Sequence, residues 1–108
     1  MLVYSYKGGF KMVGGYVGKI LRVDLSQNKI SKQDLDLSLA KKLIGGLGIA
    51  AKIMLEEMDV NTDPFDPDNK LIFATGPLTG STVPAGCKSI LVSRSPLTGI
   101  WGESIFSA

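Results

Sequence analysis

Lys70-Leu71-Ile72-Phe73-Ala74-Thr75 runs into Gly76-Pro77-Leu78-Thr79-Gly80, and the unit recurs as Ser89-Ile90-Leu91-Val92-Ser93-Arg94 followed by Ser95-Pro96-Leu97-Thr98-Gly99. Each unit is an apolar run closed by Pro-Leu-Thr-Gly. Proline fixes its own φ and glycine accepts positive φ, so the chain turns sharply and its backbone can approach a ligand or another strand. Two strands are therefore predicted. The segment between them, 81–88, carries Pro84 and Gly86 and reads as irregular.

Upstream, Asp63-Pro64, Asp66-Pro67 and Asp68-Asn69 mark a turn-rich connector. Before it, Asp34 to Met58 has helical periodicity. Leu39, Leu43, Leu47, Ala50, Met54 and Met58 recur at spacings of three and four and are predicted to share one face. Asp36 or Ser38 is the expected cap. Gly45, Gly46 and Gly48 interrupt the pattern, each at a cost of about 1 kcal/mol relative to alanine, so either two helical pieces or one helix in tight packing contact is expected. Tyr16 to Leu25 and Lys29 to Gln33 read as two strands of a hairpin around Ser26-Gln27-Asn28. Residues 1–13 read as an extension without regular structure, and Met12 as a candidate start. Strands, then helix, then strands give an α+β class.

The 108 residues suffice for one domain, which buries roughly 65% of its unfolded surface. Hydrophobic content of 44% with 20% charged is that of an ordinary globular chain. A net charge of +2, spread rather than striped, argues against a nucleic-acid partner. With one cysteine and no histidine, this chain by itself builds no zinc site, Ser-His-Asp triad, iron–sulfur cluster or disulfide. The most apolar window, Leu43 to Leu55, is too short and too interrupted for a membrane span, and the first residues lack a signal-peptide pattern. A cytoplasmic location with no membrane contact is expected.

Several motifs have a structural reading that outweighs the chemical one. Gly46-Leu47-Gly48-Ile49-Ala50-Ala51 fits G-x-G-x-x-A, yet a helical segment rather than a strand precedes it, so a packing or hinge role is expected. Gly14-Gly15-Tyr16-Val17-Gly18-Lys19-Ile20 is one residue short of a phosphate loop and has Ile20 where the hydroxyl belongs. Asp63, Asp66 and Asp68 lack the glycine and glutamate of a calcium loop and read as turn residues. Glu56, Glu57 and Asp59 read as the polar end of a helix. Cys87 is expected to be a small buried hydrophobe. Lys88, closing a Pro/Gly loop before a strand, is either a solvated lysine or a point charge for a phosphate.

Together, Gly18-Lys19-Ile20-Leu21-Arg22-Val23-Asp24-Leu25-Ser26, Ile44-Gly45-Gly46-Leu47-Gly48-Ile49-Ala50, Gly76-Pro77-Leu78-Thr79-Gly80 and Ser93-Arg94-Ser95-Pro96-Leu97-Thr98-Gly99 resemble, in order and spacing, the start of the tungsten-containing aldehyde ferredoxin oxidoreductases. The resemblance covers roughly Gly14 to Ser104. It implies a β-rich half-domain, 14–108, corresponding to one repeat of a duplicated N-terminal domain that forms the base for a tungsten bis-pterin cofactor. It also implies later domains holding a [4Fe-4S] cluster, an aldehyde substrate oxidised to a carboxylate, and ferredoxin as electron acceptor.

Carried over by position, Lys88 stands where the family has a basic residue, often arginine, near the pterin. Trp101-Gly102-Glu103-Ser104 resembles the lead into its cofactor-contacting loop, which makes Lys88, Gly102 and Ser104 the expected cofactor-binding residues. No catalytic residue or metal ligand is assigned. The family continues with an Asn-containing, double-glycine loop, where this chain has Ile105-Phe106-Ser107-Ala108. A truncated platform that neither binds the cofactor nor turns over substrate alone is therefore expected. Two other readings stay open: a stand-alone homodimeric assembly module, in which a second copy covers the apolar face left by a missing repeat, and a small pterin- or anion-binding protein.

Overall fold

The computed structural model describes residues 14–107. The expected extension 1–13 and the Met12 start lie outside the described residues. Seven elements follow in order: β1 (Lys19–Asp24), β2 (Lys29–Asp34), α1 (Leu37–Leu43), α2 (Leu47–Glu57), β3 (Ile72–Thr75), β4 (Lys88–Arg94) and β5 (Trp101–Ser107). They form a two-stranded sheet, β1-β2, and a three-stranded sheet in the order β3-β4-β5, all antiparallel. The α+β class and the two groups of strands around a helical segment match the sequence reading.

The first hairpin pairs Lys19 with Asp34 through Asp24 with Lys29. Asp24 Oδ1 accepts the Ser26 and Gln27 amides at 2.9 and 3.0 Å, which winds the turn. The first strand is shorter than the predicted run, because Leu35 N–H donates to the Gly18 carbonyl at 3.0 Å and closes the ladder there. Arg22 leaves this hairpin for the end of α2. Its two terminal nitrogens donate to Glu57 at 2.6 and 2.5 Å, its Nε donates to Gln33 at 2.8 Å, and Lys70 Nζ lies 3.8 Å from the same carboxylate.

Asp36, not Ser38, caps α1, its carboxylate accepting the Ser38 amide at 2.8 Å. The helical segment divides in two at Ile44-Gly45-Gly46. Ile44 takes φ 67° and ψ −54°, and Gly45 N–H reaches back to the Leu43 carbonyl at 2.8 Å. That is a γ-turn of the rare, strained kind, here centred on a β-branched residue. The Tyr16 hydroxyl donates to the Ile44 carbonyl at 2.6 Å, with the Ala40 carbonyl 3.2 Å away, and Gly46 N–H donates to Thr75 at 3.0 Å. The break resets the helical phase, so the single predicted face is not realised. Ala50 and Met54 are buried, but Leu47 is exposed and α1 buries Ala40 instead.

The core lies between α2 and one side of the second sheet: Ala50, Met54, Ala74, Ile90 and Val92, with Met58 and Ile72 against it. The register explains the composition, since Ile72 faces Val92 and Ala74 faces Ile90 across β3 and β4. The connector is wound by its own aspartates. Asp59, Asp63 and Asp66 each accept the amide two residues on, at 2.7, 2.8 and 2.9 Å. Asn69 then ties it to the sheet, donating to the Arg94 carbonyl at 3.1 Å and accepting the Arg94 amide at 3.2 Å. These contacts bear out turn roles for Asp63 and Asp66.

Candidate functional site

Lys88 opens β4, and its backbone is held from outside the strand. The Thr79 hydroxyl, in the first Pro-Leu-Thr-Gly loop, donates to the Lys88 carbonyl at 3.0 Å. The intervening loop is folded on itself: Ser81 Oγ donates to Leu78 O at 2.6 Å, and Gly86 N–H to Val83 O at 3.1 Å. The Lys88 side chain is exposed, and its ammonium has no ion-pair partner among the described residues. Cys87, expected to be buried, is exposed. It belongs to the surface loop and stops one residue short of the strand that would carry it into the core.

Gly102 and Ser104 lie on β5. Gly102 faces Ser93 across the ladder, and Ser104 faces Leu91. Ser95 folds over Gly102 so closely that a Cβ there would lie 3.0 Å from the Ser95 Cβ. Ser104 is exposed. The pleat sets Lys88 on the side of Ile90 and Val92, the α2 side, and Gly102 and Ser104 on the other. Lys88 faces Ser107, three positions and about 10 Å along β5 from Ser104. The expected cofactor residues are thus spread along one strand pair and divided between its faces. Thr79 and Ser95, which position Lys88 and Gly102, were not singled out from sequence. The repeat carries no common signal for them, since Thr79 follows its loop proline by two positions and Ser95 precedes its own by one.

The acidic cluster is occupied structurally. Glu56 pairs with Lys52 one helical turn back, Glu57 with Arg22 and Lys70, and Asp59 winds its turn. The Arg22 hydrogen bonds hold the Glu57 carboxyl below the usual carboxylate range and raise the Arg22 guanidinium in return. No group of three or more metal-ligating side chains occurs among the described residues. An open apolar recess of about 270 Å³ lies between α2 and β5, lined by Leu47, Ala51, Leu55, Trp101 and Glu103, and the Trp101 indole donates to Glu103 at 2.9 Å. No helix of the described residues is long and apolar enough to cross a membrane.

Residues 20–108 match the model of the aldehyde ferredoxin oxidoreductase N-terminal domain. The chain belongs to the aldehyde ferredoxin oxidoreductase family. It is 51% identical over 85 residues to a tungsten-containing aldehyde ferredoxin oxidoreductase of Pyrococcus horikoshii, covering 79% of this chain and 14% of that protein. It is 38% identical over 96 residues to the WOR-like subunit of an aliphatic sulfonate oxidoreductase of Pyrococcus furiosus, covering 85% of this chain and 15% of that subunit. Among solved structures, the active-site complex of a benzoyl coenzyme A reductase bound to 1,5-dienoyl-CoA superposes with a TM-score of 0.83 at 33% identity, over 87% of this chain and 14% of that one. The chain spans about a seventh of the length of the aldehyde ferredoxin oxidoreductases it matches.

Family membership decides the Lys88 alternatives no further than geometry does. An exposed, unpaired ammonium at the end of a loop has the charge and donors that suit a phosphate, so the residue fits the anionic end of a pterin cofactor. Neither the recess beside α2 nor the narrower glycine-lined crevice beside Pro77 includes Lys88, Gly102 or Ser104. These residues therefore neither share a face nor enclose a site by themselves.

Proposed function

We propose that residues 14–108 form part of the platform for a tungsten bis-pterin cofactor in an aldehyde:ferredoxin oxidoreductase, with 1–13 as an extension to it. The observation that carries this reading is the unpaired Lys88 ammonium, with its backbone fixed by Thr79, in a chain whose relatives are tungsten-containing enzymes.

In this role Lys88 acts as a compact point charge against the pterin phosphate. It has three donors but lacks the bidentate fork an arginine would bring. The assignment of Gly102 and Ser104 to the same group rests on the family resemblance alone, since they stand on the opposite face of the sheet from Lys88. When bound, the cofactor would supply the two-electron chemistry for oxidising an aldehyde to a carboxylate, and a [4Fe-4S] cluster and ferredoxin would be the electron acceptors expected of such an enzyme. The 108-residue chain by itself encloses no substrate and does not turn over aldehyde. A cytoplasmic location accords with this reading.

The test compares a pterin phosphate monoester with the same pterin lacking the phosphate, by thermal stabilisation and calorimetry on the full chain. The phosphorylated compound is expected to bind at least about tenfold more tightly, a difference of ~1.4 kcal/mol. Lys88→Ala should erase that difference and Lys88→Arg should keep it. Equal binding of the two compounds, or a preference unchanged in Lys88→Ala, removes Lys88 from the reading.

A further inference from the structure

We infer that Thr79 is a positioning residue for Lys88: its hydroxyl ties shut the loop from Gly80 to Cys87 and so sets the backbone from which the ammonium meets a phosphate. This role rests on the reading of Lys88 as a phosphate contact and goes one residue further into it. On the β3 side of β4 the strand pairing ends with Thr75 against Ser89, so Lys88 lies one position beyond it. There the Thr79 hydroxyl takes the place of a strand, donating to the Lys88 carbonyl at 3.0 Å across nine positions of chain. The bond is exposed, and water would satisfy both groups about as well. What the threonine adds is therefore position rather than polar satisfaction.

Both ends of the tie are fixed independently of it. At one end, the Thr79 amide donates to the Gly76 carbonyl at 3.2 Å, in the loop whose Pro77 is met by Gly15. At the other, Ser89 pairs with Thr75 and Lys88 with Ser107. Between them the chain is wound into two turns. The Ser81 amide and hydroxyl both donate to the Leu78 carbonyl, at 3.1 and 2.6 Å, and Ser81 Oγ accepts the Val83 amide at 3.3 Å. Val83-Pro84-Ala85-Gly86 is then closed by the Gly86 amide on the Val83 carbonyl at 3.1 Å. Proline in second place and a positive φ in third make this a type II turn.

Glycine is the usual residue at that third place, yet Ala85 holds φ 60° there. Gly86 beside it is packed so closely that a Cβ would lie 3.0 Å from the Leu78 carbonyl oxygen. A side chain at positive φ persists only where the surroundings fix it, and the Thr79 tie is one of the contacts that do so. The consequence falls on Lys88. An ammonium on a loop that is already ordered gives up less freedom on meeting an anion, so more of the contact appears as affinity. With the hydroxyl removed, the same ammonium must be ordered by the ligand.

The test is the phosphate preference of the full chain: the ratio of its affinities, by calorimetry, for a pterin phosphate monoester and for the same pterin without the phosphate. Thr79→Val keeps the shape and removes the hydroxyl, and should lower the ratio roughly fivefold, the worth of one exposed hydrogen bond. Thr79→Ser should keep it. In a Lys88→Ala background, Thr79→Val should change the ratio no further, because both act through one contact. Glu57→Gln weakens an ion pair at the end of α2 and should leave the ratio unchanged, which separates lost stability from lost position. Hydrogen exchange reads the tie without any ligand: the Gly86 amide should exchange several-fold faster in Thr79→Val. If Lys88→Ala erases the preference and Thr79→Val does not lower it, the role of Thr79 is overturned and Lys88 stands. A wild-type chain with no preference overturns both. Unchanged Gly86 exchange in Thr79→Val overturns the tie itself.

Discussion

The two Pro-Leu-Thr-Gly loops share four residues and do different work. The second, Ser95 to Gly99, is closed on itself. Ser95 Oγ accepts the Leu97 and Thr98 amides, each at 3.3 Å, and the Ser95 amide bonds the Ile100 carbonyl at 2.8 Å, so β4 passes to β5 through a self-sufficient hairpin. Leu97 at its tip is 93% exposed. The first, Gly76 to Gly80, is a junction. Pro77 is met by Gly15 from the chain before β1 and by Gly45 from the helix break, while Thr79 reaches forward to β4. One tetrapeptide thus shapes a turn in both places, and its neighbours decide whether the turn stands alone or locks three segments together. The residue before proline marks the difference: Ser95 adds a side-chain acceptor inside the second loop, whereas Gly76 has only its carbonyl, which accepts the Thr79 amide at 3.2 Å.

The largest break in this comparison should come at Gly15. A Cβ there would lie 1.6 Å from the Pro77 carbonyl oxygen, so Gly15→Ala should destabilise the chain by about 3 kcal/mol, read as a lower urea midpoint at unchanged slope.

A smaller effect should separate the halves by pH. Glu57 has a lowered folded-state value, so the stability it contributes is present above the unfolded carboxylate range and is lost as pH falls through the folded value. Acidification below about pH 4.5 should therefore loosen the β1–β2 hairpin. Glu57→Gln should cost about 1 kcal/mol at pH 7 and flatten that acid limb of the stability curve. Equal acid sensitivity in wild type and Glu57→Gln would place the titration elsewhere.

The smallest pair tests the autonomy of the second loop. Ser95→Ala should cost about 1 kcal/mol through the two lost amide contacts, whereas Leu97→Ser should stay within about 0.5 kcal/mol. A larger Leu97 effect would mean the tip is not free in solution.

Much of this was legible in the sequence. The first hairpin, the Asp36 cap, the glycine break and the strands before each Pro-Leu-Thr-Gly loop follow from local chemistry. What failed needed three dimensions. β5 was not predicted as a strand, because each of its faces mixes polar and apolar residues: Trp101, Glu103 and Ile105 on one, Gly102, Ser104 and Phe106 on the other. A strand separated from the helix by an open recess gives no alternation to read. The single helical face failed because the Ile44 turn resets the phase, which depends on the Tyr16 hydroxyl from a distant segment. Lys88 was identified by its place after a loop. The pleat that divides it from Gly102 and Ser104 follows only from the pairing register.

The self-wound connector bears on the order of folding. Each of Asp59, Asp63 and Asp66 binds an amide two residues away, so residues 59–69 can compact before any sheet exists. The cost of closing a loop rises with its effective length, and prewound turns shorten the gap that α2 and β3 must bridge. The contact of Met54 and Ala50 with Ala74 should then form early, with the β4–β5 hairpin adding to a nucleus already in place.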